Sequence, residues 1–221
     1  MKYYCRCGFV IAVMIYLSVF SGCASFHNNE IPKISNMAEV NQYQNRPRVH
    51  IDVKQFLGKP GSGSAREMKG NSKKLQELLQ PILDEHKMFE SYSFDKNSDE
   101  PFDYYIKLHV YNHGSYVTAF LCGFITGYTL GLIPTYSTDN YTLVTEIYDG
   151  DNRLIKDRQQ KDSMKTWAGV WLLPKASETP KKISNEILEN ILRDTLNKMI
   201  EQKQLEYSEL DFSLCEKEIF L

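Results

Sequence analysis

Residues 104–111, YYIKLHVY, and 141–148, YTLVTEIY, each alternate apolar and polar side chains. Tyr104, Ile106, Leu108 and Val110 fall on one side of the first, and Tyr141, Leu143, Thr145 and Ile147 on one side of the second. A period of two marks a half-buried β-strand, because successive side chains of an extended backbone point to opposite faces. Asp149-Gly150-Asp151-Asn152 follows directly as a turn signal. Residues 153–164, RLIKDRQQKDSM, then return as a more polar strand, so the pair predicts a hairpin. Upstream, Val49, Ile51 and Val53 alternate with His50, Asp52 and Lys54 and predict another strand. It is broken by the loop 58–64, GKPGSGS.

Two stretches switch to helical spacing. Leu75, Leu78, Leu79 and Ile82 stand at i, i+3, i+4 and i+7, with Asn71 or Ser72 as the expected cap. Pro81 inside this run should kink or end the helix. Residues 94–100 form a polar connector. Pro180 opens a second helix, whose stripe is Ile183, Ile187, Leu188, Ile191, Leu192, Leu196, Met199 and Ile200. The order strand, helix, strand, strand, strand, helix predicts an α+β fold. We expect a mainly antiparallel sheet of about four strands with two helices on one face, and an apolar, glycine-rich segment inserted between strands. This element order resembles small periplasmic α+β modules, such as the lipoprotein partner of the lipopolysaccharide-export barrel and the N-terminal domain of the Tol-system propeller protein.

The chain has 221 residues, 42% hydrophobic and 24% charged, which suits one modest domain with extras. A formal net charge of −2 gives no basic excess and argues against a nucleic-acid partner. No repeat period points to a solenoid or propeller.

The first residues read as a targeting segment. Lys2 and Arg6 supply the positive start, Phe9 to Val19 is uncharged and apolar, and Phe20-Ser21-Gly22-Cys23 follows. This resembles the signal peptide and lipobox of bacterial lipoproteins, with Phe20 where leucine is usual. The resemblance implies cleavage after residue 22, lipid on Cys23 (a diacylglyceryl thioether and an N-acyl chain such as palmitate) and residence in the cell envelope. Ala24, rather than Asp, after the cysteine implies transfer to the outer membrane facing the periplasm, with the inner membrane as the alternative. A plain secretory signal or an anchor helix is the competing reading. The expected organisation is 1–22 signal peptide, 23–47 lipidated N-terminus and flexible tether, 48–203 periplasmic α+β domain with the apolar insertion 114–138, and 204–221 acidic tail.

From Gly114 to Thr138, 25 residues pass without Asp, Glu, Lys, Arg or His. Gly123, Gly127 and Gly131 are four apart, so on a helix they share one face that lets another backbone approach. A membrane span, a buried core helix or glycine-rich loop, and a membrane-docking, re-entrant or self-association segment all compete for this run. A span would place the strands before and after it on opposite sides of a membrane, although their patterning argues that they share a sheet. A second apolar tract, WAGVWLLP at 167–174, leaves the partner strand at the end where the run enters, so the two should emerge side by side. Contact with a membrane or a membrane-protein partner is therefore expected through 116–136 and 167–174. We single out Gly123, Gly127, Gly131, Leu130, Leu132, Ile133, Trp167 and Trp171, with the two tryptophans at i and i+4 on one helix face. The alternative use of the same end is a cleft that carries a lipid or another apolar ligand.

Signals for chemistry are weak. His109 and His113 share a face at spacing four, but no third ligand has a matching position, so no metal site is expected. Ser62 and Ser64 lie in a flexible loop without a nucleophile-elbow pattern. The glycines of 123–131 match neither a phosphate loop nor a dinucleotide fingerprint. Cys122 and Cys215 are the cysteines left without a role, and a bridge between them is not expected. We expect no catalytic residue, no cofactor and no enzymatic activity.

Overall fold

The computed structural model describes residues 22–38, 40, 43–95, 101–175, 177–205 and 208–209. The residues of the signal peptide up to Ser21, the connector 96–100 and most of the acidic tail, including Cys215, lie outside them.

The alternating segments form strands. β3 (Arg48–Leu57) buries Val49, Ile51 and Val53, and β6 (Tyr104–Gly114) buries Ile106, Leu108 and Val110. β7 (Thr135–Asp149) buries Tyr141, Leu143, Thr145 and Ile147. It is joined to β8 (Leu154–Gly169) by a tight turn. In that turn Asp149 Oδ1 accepts from the amides of Asp151 and Arg153, and Asn152 takes φ +62°, a left-handed value that asparagine tolerates.

The α+β class is observed, but among the described residues the sheet has seven strands rather than about four, in the order β1 (Gly22–His27), β8, β7, β6, β3, β4 (Arg66–Glu67), with β5 (Ser91–Ser93) beside β3. The additions come from stretches with no apolar alternation to announce them. β1 (Gly22–His27) pairs antiparallel with β8 from Gly22–Gly169 to His27–Met164. β4 (Arg66–Glu67) pairs antiparallel with β3, and β5 (Ser91–Ser93) pairs parallel with it. β2 (Tyr43–Asn45) and β9 (Ser208–Glu209) form a separate two-stranded sheet.

α1 (Lys69–His86) begins before the expected caps. Ser72 does not cap it. Its hydroxyl accepts from the Gln55 amide at 2.9 Å and donates to the Met68 carbonyl at 3.4 Å, tying α1 to β3. The helix also does not end at Pro81. Ile82 and Leu83 are buried beyond it, and the burial of two such side chains, about 3–6 kcal/mol, covers the roughly 3 kcal/mol cost of an internal proline. Lys87, at φ +45°, closes the helix by donating to the Leu83 carbonyl. All eight residues of the predicted second stripe are buried on the long helix Pro180–Glu201, named α3 below.

The stretch expected to be a tether carries structure. Besides β1, Ile31, Met37 and Val40 are buried. Asn190 and Asn197 of the long helix fasten the intervening backbone: Asn190 Oδ1 accepts from the Ile34 amide at 2.9 Å, and Asn197 Oδ1 from the Ala38 amide at 2.6 Å. Side-chain amides here do the work that a neighbouring strand would do for a regular segment.

The chain divides into two compact units. The first draws on Met1–Glu30, Asn112–Tyr141 and Lys161–Leu188, and the second on Ile31–Tyr111, Thr142–Gln160 and Glu189–Leu221. The first holds the apolar run, the tract after β8 and Cys23.

Candidate functional site

The apolar run folds as α2 (Tyr116–Tyr128), between β6 and β7. Ser115 caps it, its hydroxyl accepting from the Thr118 amide at 3.2 Å. No residue of this 13-residue helix is buried. Tyr116, Phe120, Phe124 and Tyr128, four apart, line one exposed face, with Phe120 at 73% and Tyr128 at 83% exposure. The Phe124 and Tyr128 rings stack at 6.2 Å, and Val117, Leu121 and Ile125 extend the apolar surface. Small polar groups hold the opposite side. The Cys122 thiol donates to the Tyr136 carbonyl at 2.9 Å, Thr126 and Thr135 hydroxyls meet at 2.5 Å, and Thr135 donates to the Cys122 carbonyl at 3.1 Å. This inverts the usual surface helix, whose apolar stripe faces inward. At 1.5 Å per residue the helix is about 20 Å long, short of the roughly 30 Å hydrocarbon core. Among the described residues no helix is long and apolar enough to cross a membrane.

The end of α2 sets the three glycines apart. The Leu130 amide donates to Gly127 and the Gly131 amide to Thr126, a Schellman closure with Leu130 at φ +54° and Gly131 at φ +78°. Gly131 is buried and lies outside the helix. A Cβ there would stand 3.1 Å from Val170 Cγ1, and the Gly131 carbonyl accepts from the Val170 amide at 3.0 Å. Gly131 is therefore a joint rather than a contact residue. Gly123 and Gly127 have open space where a Cβ would project, as a docking face requires. Leu130 is half-buried, whereas Leu132 and Ile133 are exposed.

The second tract is not one helix. Trp167 belongs to β8 and Trp171 to the 3₁₀ helix Val170–Lys175, so they do not share a helix face. Trp167 is half-buried, its ring 4.7 Å from that of Tyr136, which Lys165 Nζ approaches at 5.6 Å. Trp171 is 69% exposed, and its indole N–H donates to the Leu132 carbonyl at 3.1 Å. The two apolar segments thus meet through the Val170–Gly131 and Trp171–Leu132 bonds.

Cys23 joins the same unit. It lies in β1 opposite Ala168, with its side chain exposed, one residue before the fully buried Ala24. Ser25 holds this strand: its hydroxyl meets that of Thr166 at 2.8 Å, and its amide donates to the Glu178 carbonyl at 2.8 Å. His27 pairs with Glu186 at 2.9 Å. Sequence reasoning missed this strand, because GCASFH is mostly small residues and sits where a lipobox suggests a flexible start.

The second unit carries a polar network. His109 and Lys54 bond the Asp52 carboxylate at 3.2 and 2.8 Å. Lys107 bonds Glu146 at 3.2 Å and the Tyr148 hydroxyl at 3.0 Å, and Tyr148 donates to Glu146 at 2.7 Å. Burial alone would raise Asp52, but the bonds from Lys54 and His109 outweigh it and hold the carboxyl below its ordinary value. Burial pushes His109 down, against the pull of Asp52. The Tyr148 hydroxyl and then Lys107 hold Glu146 low. These shifts favour ionised carboxylates and a neutral imidazole at neutral pH. His109 belongs to this network and His113 to the first unit. Among the described residues no group of three His, Cys, Asp or Glu could hold a metal ion. Ser62 and Ser64 bond each other at 2.6 Å in their exposed loop.

No protein-family model matches the chain, and neither does any curated protein. Among solved structures, a minor lipoprotein from Acinetobacter baumannii is similar at 11% identity and a TM-score of 0.38, covering 74% of this chain and 97% of that one. A neuraminyllactose-binding hemagglutinin homolog from Helicobacter pylori is similar at 12% identity and a TM-score of 0.46, covering 80% and 96%. A PelC dodecamer from Paraburkholderia phytofirmans is similar at 7% identity and a TM-score of 0.32, covering 80% and 98%.

Proposed function

We propose that this protein is a lipoprotein of the bacterial cell envelope with a structural or adaptor role and no catalysis. Lipid on Cys23 anchors it, in the outer membrane facing the periplasm. The exposed surface of α2, the turn through Ile133 and Trp171 dock it to the membrane a second time. The observation that carries this reading is the outward aim of α2, an uncharged helix with no buried residue. A fully buried apolar side chain gains about 1.5–3 kcal/mol; half of that for Tyr116, Val117, Phe120, Leu121, Phe124 and Tyr128 amounts to roughly 5–9 kcal/mol. One acyl chain alone binds only marginally, so this contribution is comparable to that of a lipid anchor.

The same outward aim favours docking over a carrier of lipid or another apolar ligand, which would wrap these side chains around a cavity. An envelope-protein partner, or a second copy packed on the open Gly123–Gly127 face, would use the same surface. Two measurements test the reading. A clickable palmitate analogue should label the wild-type chain and not Cys23→Ala. Cys23→Ala, made without residues 1–22 so that no apolar signal segment remains, should still sediment in part with membranes, and Phe120→Glu with Phe124→Glu should release it. A Cys23→Ala chain that is wholly soluble and monomeric would remove the second contact.

A further inference from the structure

The proposed lipid anchor and the apolar surface lie only a few residues apart through the fold. Cys23 pairs with Ala168, Gly22 with Gly169, and the next residue, Val170, bonds the Gly131 carbonyl at 3.0 Å. Paired strands stand about 5 Å apart and extended residues rise about 3.4 Å, so the path from Cys23 to the turn after α2 is at most roughly 17 Å. The lipid-bearing residue also has no slack. It is already inside β1, and the Ser25–Thr166 and Ser25–Glu178 bonds fix the strand two residues later. α2 is likewise fixed at both ends, by β6 and β7, and along its length by the bonds of Cys122 and Thr126.

From this arrangement we infer that the lipid on Cys23 and the aromatic face of α2 enter the same leaflet of one bilayer, so that the protein does not bridge two membranes. This inference rests on the lipoprotein reading. If the turn at Leu132 and Ile133, with Trp171 bonded to it, reached a second bilayer, two headgroup layers, each about 5–7 Å deep, would have to fit within roughly 17 Å together with the protein between them. In a single leaflet the demands agree. Tyr116 and Tyr128 mark the two ends of the helix, and Trp171 stands beside its exit, all strongly exposed. Amphipathic aromatic side chains of this kind settle at the headgroup boundary. The occupant of this surface is therefore the lipid leaflet that already holds the acyl chains.

The test uses the full lipidated chain, purified from membranes and reconstituted in phosphatidylethanolamine–phosphatidylglycerol vesicles. In a background carrying both Cys122→Ser and Cys215→Ser, an environment-sensitive fluorophore is attached to Phe124→Cys. A blue shift and quenching by spin-labelled lipid at position 124, with no clustering with added protein-free vesicles, would support single-leaflet seating. Clustering of the two vesicle populations, or quenching at 124 only when the quencher is in the added vesicles, would overturn it while leaving membrane docking intact. No shift at 124 in any vesicle would overturn the docking reading itself, and this inference with it.

Discussion

Replacing Phe120 and Phe124 together with alanine separates membrane contact from fold. The two side chains keep 73% and 62% of their surface exposed. Full burial of a phenylalanine contributes about 1.5–3 kcal/mol. Scaled by the exposed fractions and reduced by what alanine retains, the pair should contribute about 2–3 kcal/mol to partitioning. At 1.4 kcal/mol per decade that is a loss of about 30- to 150-fold. The assay is vesicle flotation of the unlipidated Cys23→Ala chain, made without residues 1–22, with and without the double substitution, across a lipid titration. Thermal unfolding is measured in parallel. Neither ring is buried, so stability should stay within about 0.5 kcal/mol. A core pair would instead lose about 3–5 kcal/mol per ring. Unchanged partitioning together with a large loss of stability would mean that α2 faces protein, and the reasoning would fail.

Other outcomes follow from single residues. Gly131→Ala should lower stability by about 1–3 kcal/mol in denaturant titration, because φ is +78° and the added Cβ would press on Val170. Gly127→Ala, with open space at its Cβ, should not show that loss. Thr145→Val should stabilise by about 1 kcal/mol and raise Tm by about 2–4 °C, because the Thr145 hydroxyl is buried and has no hydrogen-bond partner among the described residues. For His109, burial depresses the folded-state pKa below the ordinary 6.5. The unfolded chain therefore binds the proton first as pH falls, and stability declines from about pH 6.5 down to the folded value. His109→Gln should flatten that part of a stability–pH curve measured by urea titration.

Much of the fold is legible in the order of residues, because its signals are local periods produced by burial. Val49, Ile51 and Val53, or Ile106, Leu108 and Val110, alternate because one sheet face is wet and the other dry. The stripe from Ile183 to Ile200 repeats near 3.6 because one side of that helix is buried. The Asp149–Asn152 turn and the absence of charge from Gly114 to Thr138 are equally local. β1, β4 and β5 have no such period. Small or polar residues become strands there only because a partner edge offers unpaired backbone groups, so only the tertiary structure places Cys23 beside Ala168. Gly123, Gly127 and Gly131 are equivalent by spacing, but the approach of Val170 makes the third a joint. Trp167 and Trp171 are i and i+4 by number, but a strand ends between them. Sequence by itself determined that 116–128 is apolar. Tertiary packing decided which way it faces: the groups that meet it, Thr135 and the Tyr136 carbonyl, bond Cys122 and Thr126, and this leaves the aromatic side turned outward.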